Sequence, residues 1–352
     1  MAVTLDYLPR DPRSRSTSIG LIGCGRISAR HLAAYRRAGY HVVALCDLVP
    51  ERATARRDEY FPEASVELSA HDLLDRADVD VVDIATHVDV RPGLVEQALR
   101  ARKHVLSQKP FVLDLAEGAR LCQLADEMGR LLAVNQNGRW APHFAALLAA
   151  HREGMLGRVS SADFAVYWAH DEAVASSPEF ANMEDLILYD FGIHWFDIVA
   201  ILLRESLPAS GVFAHTGRLP GQVIPVDTQA QVVIEFSEAQ VSLLFRGAYR
   251  SQEVGSYRVA GSAGVARHWG KSLGGDSMRL RTAVGEESIA LVGDWWANGM
   301  HGAMGELLCA IEEGRQPSNA ARSSLPGLGL CFAAIRSAKT GMSVDPSTVA
   351  TP

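Results

Sequence analysis

The chain has little cysteine and no cysteine pattern: Cys24, Cys46, Cys122, Cys309 and Cys331 are odd in number and scattered over 352 residues. No CxxC pair or compact ligand spacing occurs among them, which argues against a disulfide scaffold or a cysteine-built metal site. Reduced, buried thiols of this kind suit a cytoplasmic protein. No stretch approaches the apolar length of a membrane span, so no membrane partner is expected. An excess of positive charge is also missing. Lys and Arg total 34 against 41 Asp and Glu, a net charge of -7, leaving no basic stripe for phosphates and no nucleic-acid partner to expect. The first sixteen residues contain Arg10, Arg13, Arg15 and two prolines but no apolar core of the secretory type, and read as a flexible arm.

What is present is the composition of an ordinary globular protein, 48% hydrophobic and 21% charged, with length enough for two domains. From Ser16 to about Asn137, short apolar runs alternate with amphipathic stretches. Strands are predicted at Ser18–Ile22, Val42–Cys46, Val81–Ala85, His104–Ser107 and Leu131–Val134. Helices are predicted near Ile27–Ala38, Pro50–Glu59, Ala70–Asp75, Pro92–Ala101 and Leu115–Gly129. This rhythm implies βαβ units and a doubly wound parallel sheet. Past Arg139 the pattern changes. A helix over Pro142–His151, a strand over Val159–Trp168 and a long apolar helix lead into β-runs from Gly211 to about Leu291. These imply a large, mostly antiparallel sheet with one face covered by helices. Helices near Met300–Glu313 and Leu325–Thr340 close the chain. The expected α/β division is an arm over 1–16, a nucleotide-binding domain over 17–137 and an α+β substrate-binding domain over 138–345.

The first predicted strand runs into Gly23-Cys24-Gly25-Arg26-Ile27-Ser28, which matches G-x-G-x-x-[G/A] with Ser as the third small residue. Gly23 permits a tight turn, Gly25 lets a pyrophosphate approach the backbone, and Ser28 allows close helix–strand packing. The helix that follows offers unpaired N–H groups to the phosphates. Asp47 ends the second strand, where a carboxylate accepts from both adenosine ribose hydroxyls and repels a 2′-phosphate. NAD is therefore expected over NADP, with Arg52 nearby leaving room for the latter.

The run Leu186–Leu203 is apolar almost all round, except for Asp190, His194 and Asp197. At about 100° per residue a helix places these three within roughly 60° of one another. A polar seam on a buried helix is costly without partners and is a common setting for proton chemistry. A structural Asp190–His194 pair is the alternative, and Asp197 reads as structural.

Taken together, these residues resemble the Gfo/Idh/MocA oxidoreductases, the glucose–fructose oxidoreductase and inositol dehydrogenase superfamily. The resemblance is carried by the glycine fingerprint, by Val81-Val82-Asp83-Ile84-Ala85-Thr86, and by Lys103-His104-Val105-Leu106-Ser107-Gln108-Lys109-Pro110. The Asp190-x-Gly192-x-His194-x-x-Asp197 helix completes it, over about Ser18 to Val344. It implies a Rossmann domain followed by an open-faced sheet domain used for substrate binding and for assembly into a homodimer or homotetramer. It also implies that Lys109, Asp190 and His194 meet at the nicotinamide, with Gly23, Gly25, Arg26, Ile27, Ser28, Asp47, Thr86, His87, Gln108, Lys109 and Asn137 about the cofactor. Three departures stand out. The usual Glu before Lys-Pro is Gln108, the usual Pro or Asn after Thr86 is His87, and the usual His five residues beyond Thr86 is Arg91.

Oxidising a secondary alcohol needs a proton acceptor and a group that stabilises alkoxide character. His194, with an ordinary pKa near neutrality, is taken as the acceptor and the Lys109 ammonium as the stabiliser. Asp190 orients His194 or accepts from a neighbouring hydroxyl; which of the three is the base stays open. Substrate contacts are expected from Lys109, Arg139, Trp140, Trp168, Asp190 and His194, with Trp295 and His301 weaker, for a polyol or sugar. His170-Asp171-Glu172 are adjacent in sequence and converge poorly on one ion, so no metal is expected. The expectation is an NAD-dependent dehydrogenase of a sugar, cyclitol or sugar derivative. The alternatives are an NAD-retaining glycosidase or epimerase using transient oxidation, and a non-catalytic nucleotide-sensing regulator.

Overall fold

The computed structural model describes residues 4–271, 273 and 277–352. The chain folds into two compact units, and neither is continuous in sequence.

One unit comprises Leu8–Trp140 and Trp296–Leu325. Its first half runs β1 (Ser18–Ile22), α1 (Ser28–Ala38), β2 (His41–Cys46), α2 (Pro50–Tyr60), β3 (Ser65–Glu67) and α3 (Ala70–Asp75). Its second half runs β4 (Val81–Ile84), α4 (Arg91–Arg100), β5 (His104–Gln108), α5 (Leu115–Met128) and β6 (Leu132–Asn135). The strands form one parallel sheet in the order β3-β2-β1-β4-β5-β6. That is a doubly wound order, with its reversal between β1 and β4. Every residue of β1 and β4 is buried, as expected for strands covered on both faces. The helices end where local chemistry dictates. Asp114 caps α5 by accepting the Ala116 N–H at 2.7 Å, and Gly129 stops it in the left-handed region at φ 64°.

Among the described residues, the second unit comprises 4–7, Ala141–Trp295 and Pro326–Pro352. It contains α6 (Pro142–Arg152), β7 (Val159–Tyr167), α7 (His170–Val174), α8 (Pro178–Ala181) and α9 (Ile193–Leu202). Then follow β8 (Gly211–Gly217), β9 (Gln229–Glu235), β10 (Gln240–Arg246), β11 (Val254–Gly261), β12 (Gly264–Gly270), β13 (Ser277–Thr282) and β14 (Gly285–Ala290). The eight-stranded sheet has the order β14-β13-β12-β11-β7-β10-β9-β8, antiparallel except where β7 and β10 run parallel. Alternate residues such as Val232, Ile234, Val241, Leu243 and Phe245 are buried on one face, while Trp269 on the other is 70% exposed.

Two sequence expectations change. The closing helices are α10 (Trp295–Glu313) and α11 (Ala321–Thr340), and α10 belongs almost wholly with the parallel sheet. Met300, Met304, Leu307 and Leu308 share a core with Ile19, Leu21, Leu32, Leu45 and Leu106, so the boundary near 137 does not close the first unit. The arm, of which 1–3 lie outside the described residues, is also fastened from Leu8 onward. Asp11 accepts from Tyr40 Oη at 2.8 Å, from Arg15 at 2.9 Å and from His301 Nε2 at 2.7 Å. Glu312 takes the backbone N–H groups of Arg13 and Ser14, each at 2.9 Å. His301, weighed above for a cleft, is thus one of the side chains that hold the arm. Among the described residues, no helix is long and apolar enough to cross a membrane.

Candidate active site

In the parallel-sheet unit the predicted nucleotide residues gather at the carboxyl ends of β1, β2 and β4. Gly23 has φ 98°, and a Cβ there would lie 2.9 Å from the Ala85 carbonyl carbon and 3.0 Å from Thr86 Cγ2. Glycine thus lets the β1 and β4 loops touch. A Cβ at Gly25 would meet nothing within 4 Å, so its backbone faces open space. No side chain caps the α1 N-terminus, leaving its N–H groups for an anion. Asp47 organises the loop. Its Oδ2 accepts the Cys24 N–H at 2.7 Å and its Oδ1 the Val49 N–H at 2.9 Å. Each oxygen retains a lone pair for a ribose hydroxyl. Burial, with Asp47 close by, pushes the Cys24 thiol up to about 12, so it stays protonated.

The donor set fits a dinucleotide. Thr86 Oγ1, Gln136 Oε1 and Asn137 Nδ2 are buried without a hydrogen-bond partner, which is costly unless a bound group supplies one. Arg26 and His87 are exposed, and Ile27 is half-buried. Ser28 is wholly buried and donates its hydroxyl to Gly25 O at 2.6 Å, so it braces the loop from behind. Arg56, unsuspected from the sequence, reaches from α2 to Ser28 Oγ at 3.3 Å and Gly25 O at 3.4 Å. Only the packing of α2 beside α1 reveals it.

Lys109 is half-buried just past β5. Its neighbours are held by Arg91, 3% exposed, which donates to Thr86 O and Gln108 O, the latter at 2.7 Å, and to Pro110 O. Gln108, expected about the cofactor, has intramolecular partners for both ends of its amide. It is 5% exposed, with Oε1 on the Lys109 backbone N–H at 2.8 Å and Nε2 facing His31. Arg139 is 6% exposed and donates to Ser318 O at 2.6 Å and Ser323 Oγ at 3.2 Å. Trp140 lies against α10, where a Cβ at Gly302 would collide with its indole. Both side chains thus pack on segments that lie far along the chain.

In the second unit the long apolar helix is not uniform. Ile187–Gly192 forms a π-helical turn that continues into α9, so the regular α-helical angles do not carry across Asp190 and His194. Such turns recur at functional sites. Asp190 is half-buried, while His194 is 7% and Asp197 1% exposed. The backbone of Asp197 packs closely on α11, where a Cβ at Gly327 would sit 2.8 Å from its Cα. His194 meets Trp295 edge-on, ring centroids 5.1 Å apart and planes at 90°. Trp168 packs on His170 at 5.2 Å and Phe191 at 5.5 Å. Asp171 and Glu172 are both bound by Arg250, each at 2.7 Å.

Comparison with known proteins agrees with this frame. Residues 17–136 match the oxidoreductase family with an NAD-binding Rossmann fold, and residues 144–267 match the GFO/IDH/MocA C-terminal domain. This chain belongs to the Gfo/Idh/MocA oxidoreductases. Among relatives in this family, a D-apiose dehydrogenase from Paraburkholderia graminis is 28% identical, over 92% of this chain and 88% of that protein. Inositol 2-dehydrogenase 4 from Saccharopolyspora erythraea is 27% identical, over 88% of this chain and 95% of that protein. In fold, the chain resembles an Agrobacterium radiobacter oxidoreductase solved with NAD+, L-tartaric acid and magnesium. The TM-score is 0.82 at 23% identity, covering 94% of this chain and 99% of the other. The Gfo/Idh/MocA assignment makes the parallel-sheet unit an NAD-binding Rossmann domain.

Proposed function

We propose that this oxidoreductase acts on a secondary hydroxyl of a sugar, cyclitol or related polyol, with NAD as its partner coenzyme. The observation that carries the coenzyme reading is Asp47, whose two oxygens bind the loop backbone and stand ready for ribose hydroxyls. The named relatives, dehydrogenases of D-apiose and inositol, support the substrate class. Gly23, Gly25, Asp47, Thr86 and Asn137 would hold the coenzyme. When bound, it supplies the acceptor for the hydrogen leaving the carbinol carbon.

The chain's own residues handle the proton. His194 takes it from the hydroxyl, Asp190 orients that imidazole or accepts from an adjacent hydroxyl, and the Lys109 ammonium favours the alkoxide. Trp168, beside Phe191 and His170, offers an apolar wall for a polyol's ring face. The exposed face of the eight-stranded sheet, with Trp269, is assigned to assembly with further copies of the chain. Five buried, unpaired cysteines suit the cytoplasm.

The test is a panel of polyols and sugars, including myo-inositol and D-apiose, scored by nicotinamide absorbance with both coenzymes. Turnover with NAD on a vicinal polyol is expected. Failure across the whole panel would overturn the dehydrogenase reading. Coenzyme surviving gel filtration would move the assignment to the NAD-retaining class.

A further inference from the structure

Beneath the carboxyl ends of β4, β5 and β6 lies a sealed polar cluster. His31, Asp83 and Asn135 are 0% exposed, and Gln108 is 5% exposed. We infer that His31 is a positioning residue for Lys109, acting through Gln108, and that the amide at position 108 keeps the imidazole neutral. The functional half of this inference rests on Lys109 stabilising the alkoxide, as proposed above.

The hydrogen bonds assign themselves from the backbone inward. The Lys109 N–H is a donor, so the Gln108 atom 2.8 Å from it is the oxygen. The amide nitrogen of Gln108 therefore faces His31 Nε2, at 3.3 Å. Asn135 Nδ2 approaches the same ring nitrogen at 3.0 Å, with its amine end also 3.2 Å from Met300 Sδ of α10. Two N–H donors converge on Nε2, so that nitrogen carries a lone pair. The ring proton sits on Nδ1, which donates to Asp83 Oδ2 at 2.7 Å. Tyr35 Oη donates to the same oxygen at 2.7 Å, and burial beside Asp83 pushes the phenol far above its ordinary range. Asp83 and Tyr35 are the titratable groups that hydrogen-bond or stack edge-on against the ring.

The result is a directed chain from a carboxylate through an imidazole and an amide to one backbone N–H. The links from Asp83 Oδ2 through His31 and Gln108 to the Lys109 N–H are all made, and buried links of this type stiffen what they hold, while Asp83 Oδ1 and Asn135 Oδ1 stay without a hydrogen-bond partner. Arg91 grips the carbonyls of Gln108 and Pro110, so the Lys109 backbone is held from both sides. An acid at 108 would still serve the Lys109 N–H, but it could meet Nε2 only through an added proton. The amide therefore sets the charge of His31 without touching it covalently. A further buried charge is avoided, and with it a large desolvation cost.

Three measurements on the full-length, NAD-loaded protein test this. Long-range ¹⁵N–¹H spectra of histidine-labelled protein at pH 7.5, assigned with His31→Asn, should show Nδ1 protonated and Nε2 unprotonated. In Gln108→Glu both nitrogens should be protonated. Gln108→Leu should speed amide exchange at Lys109 by at least tenfold. It should also lower kcat by about tenfold or more on the polyol selected by the panel, as small misplacements of a reacting group do, with NAD affinity changed far less. Gln108→Glu should recover part of that loss. A protonated Nε2 in the unmodified protein overturns the charge assignment. Unchanged exchange and kcat in Gln108→Leu overturn the positioning role. Full activity in Lys109→Ala would instead remove the alkoxide reading, and with it the functional half, while the ring spectra still decide the rest.

Discussion

Trp295 stands perpendicular to His194, its indole centroid 5.1 Å from the imidazole, and is itself only 1% exposed. It also stacks on Trp195 at 6.0 Å. A rigid aromatic layer therefore fixes one face of the proposed base. Trp295→Phe is expected to lower kcat by about tenfold through a tilted imidazole, with NAD affinity changed far less. An unchanged kcat would detach Trp295 from the chemistry.

Lys109→Ala and His194→Ala should each cut turnover by about a hundredfold or more, in line with losses seen for general acid–base and electrostatic groups. NAD binding, followed by fluorescence titration, should persist in both. Near-normal turnover in either variant would refute its role.

Gly23 and Gly25 separate folding from binding. At Gly23 a methyl group meets backbone atoms at 2.9 Å and a φ of 98°, so Gly23→Ala should destabilise the fold by about 1–3 kcal/mol. At Gly25 the space is empty, so Gly25→Val should leave the melting temperature nearly intact and abolish NAD binding. Calorimetry and titration on the pair decide. Equal stability losses would show that the open space at Gly25 is not available to a coenzyme.

Asp47→Ala removes acceptors from the Cys24 and Val49 N–H groups as well as from the ribose. NAD affinity should fall by about tenfold to a hundredfold, or roughly 1.4–2.8 kcal/mol, and preference against NADP should relax. The ratio of dissociation constants for the two coenzymes measures this, and an unchanged ratio would withdraw Asp47 as the discriminator.

His104 gives the fold a pH dependence. Burial, reinforced by the charge of Arg130, lowers its pKa to about 4, and its Nδ1 lone pair accepts the Leu131 N–H at 3.0 Å. The folded state thus favours the neutral ring. Its contribution is complete above the ordinary value of 6.5 and is lost as pH falls from there towards 4. Melting temperatures should decline across that interval. His104→Asn keeps an acceptor and removes the titration, so its decline should be shallower; parallel curves would count against the assignment.

The Rossmann half was plainly legible because its signals are local. Buried strands read as apolar runs, and Gly23, Gly25 and Asp47 sit where a short motif places them. Most of what the sequence did not show involves long-range partners. Arg139 and Trp140 are turned inward by Ser318, Ser323 and Gly302, which lie far along the chain. Gln108 was legible as an amide but not as one facing inward, since His31 belongs to another element. The π-helical turn at Ile187–Gly192 escapes a reading based on 3.6-residue periodicity, because one inserted position changes no composition.

The return of α10 to the parallel sheet has a consequence for how this protein is made. Met300, Met304, Leu307 and Leu308 complete the core around Ile19 and Leu106. A ribosome therefore finishes the whole second sheet before it releases the helix that seals the first, and the nascent nucleotide lobe waits half-built through that interval. A fragment ending near residue 140 would emerge with that apolar seam uncovered and should aggregate, whereas a deletion that fuses Trp140 to Trp296 through a short linker should stay in solution.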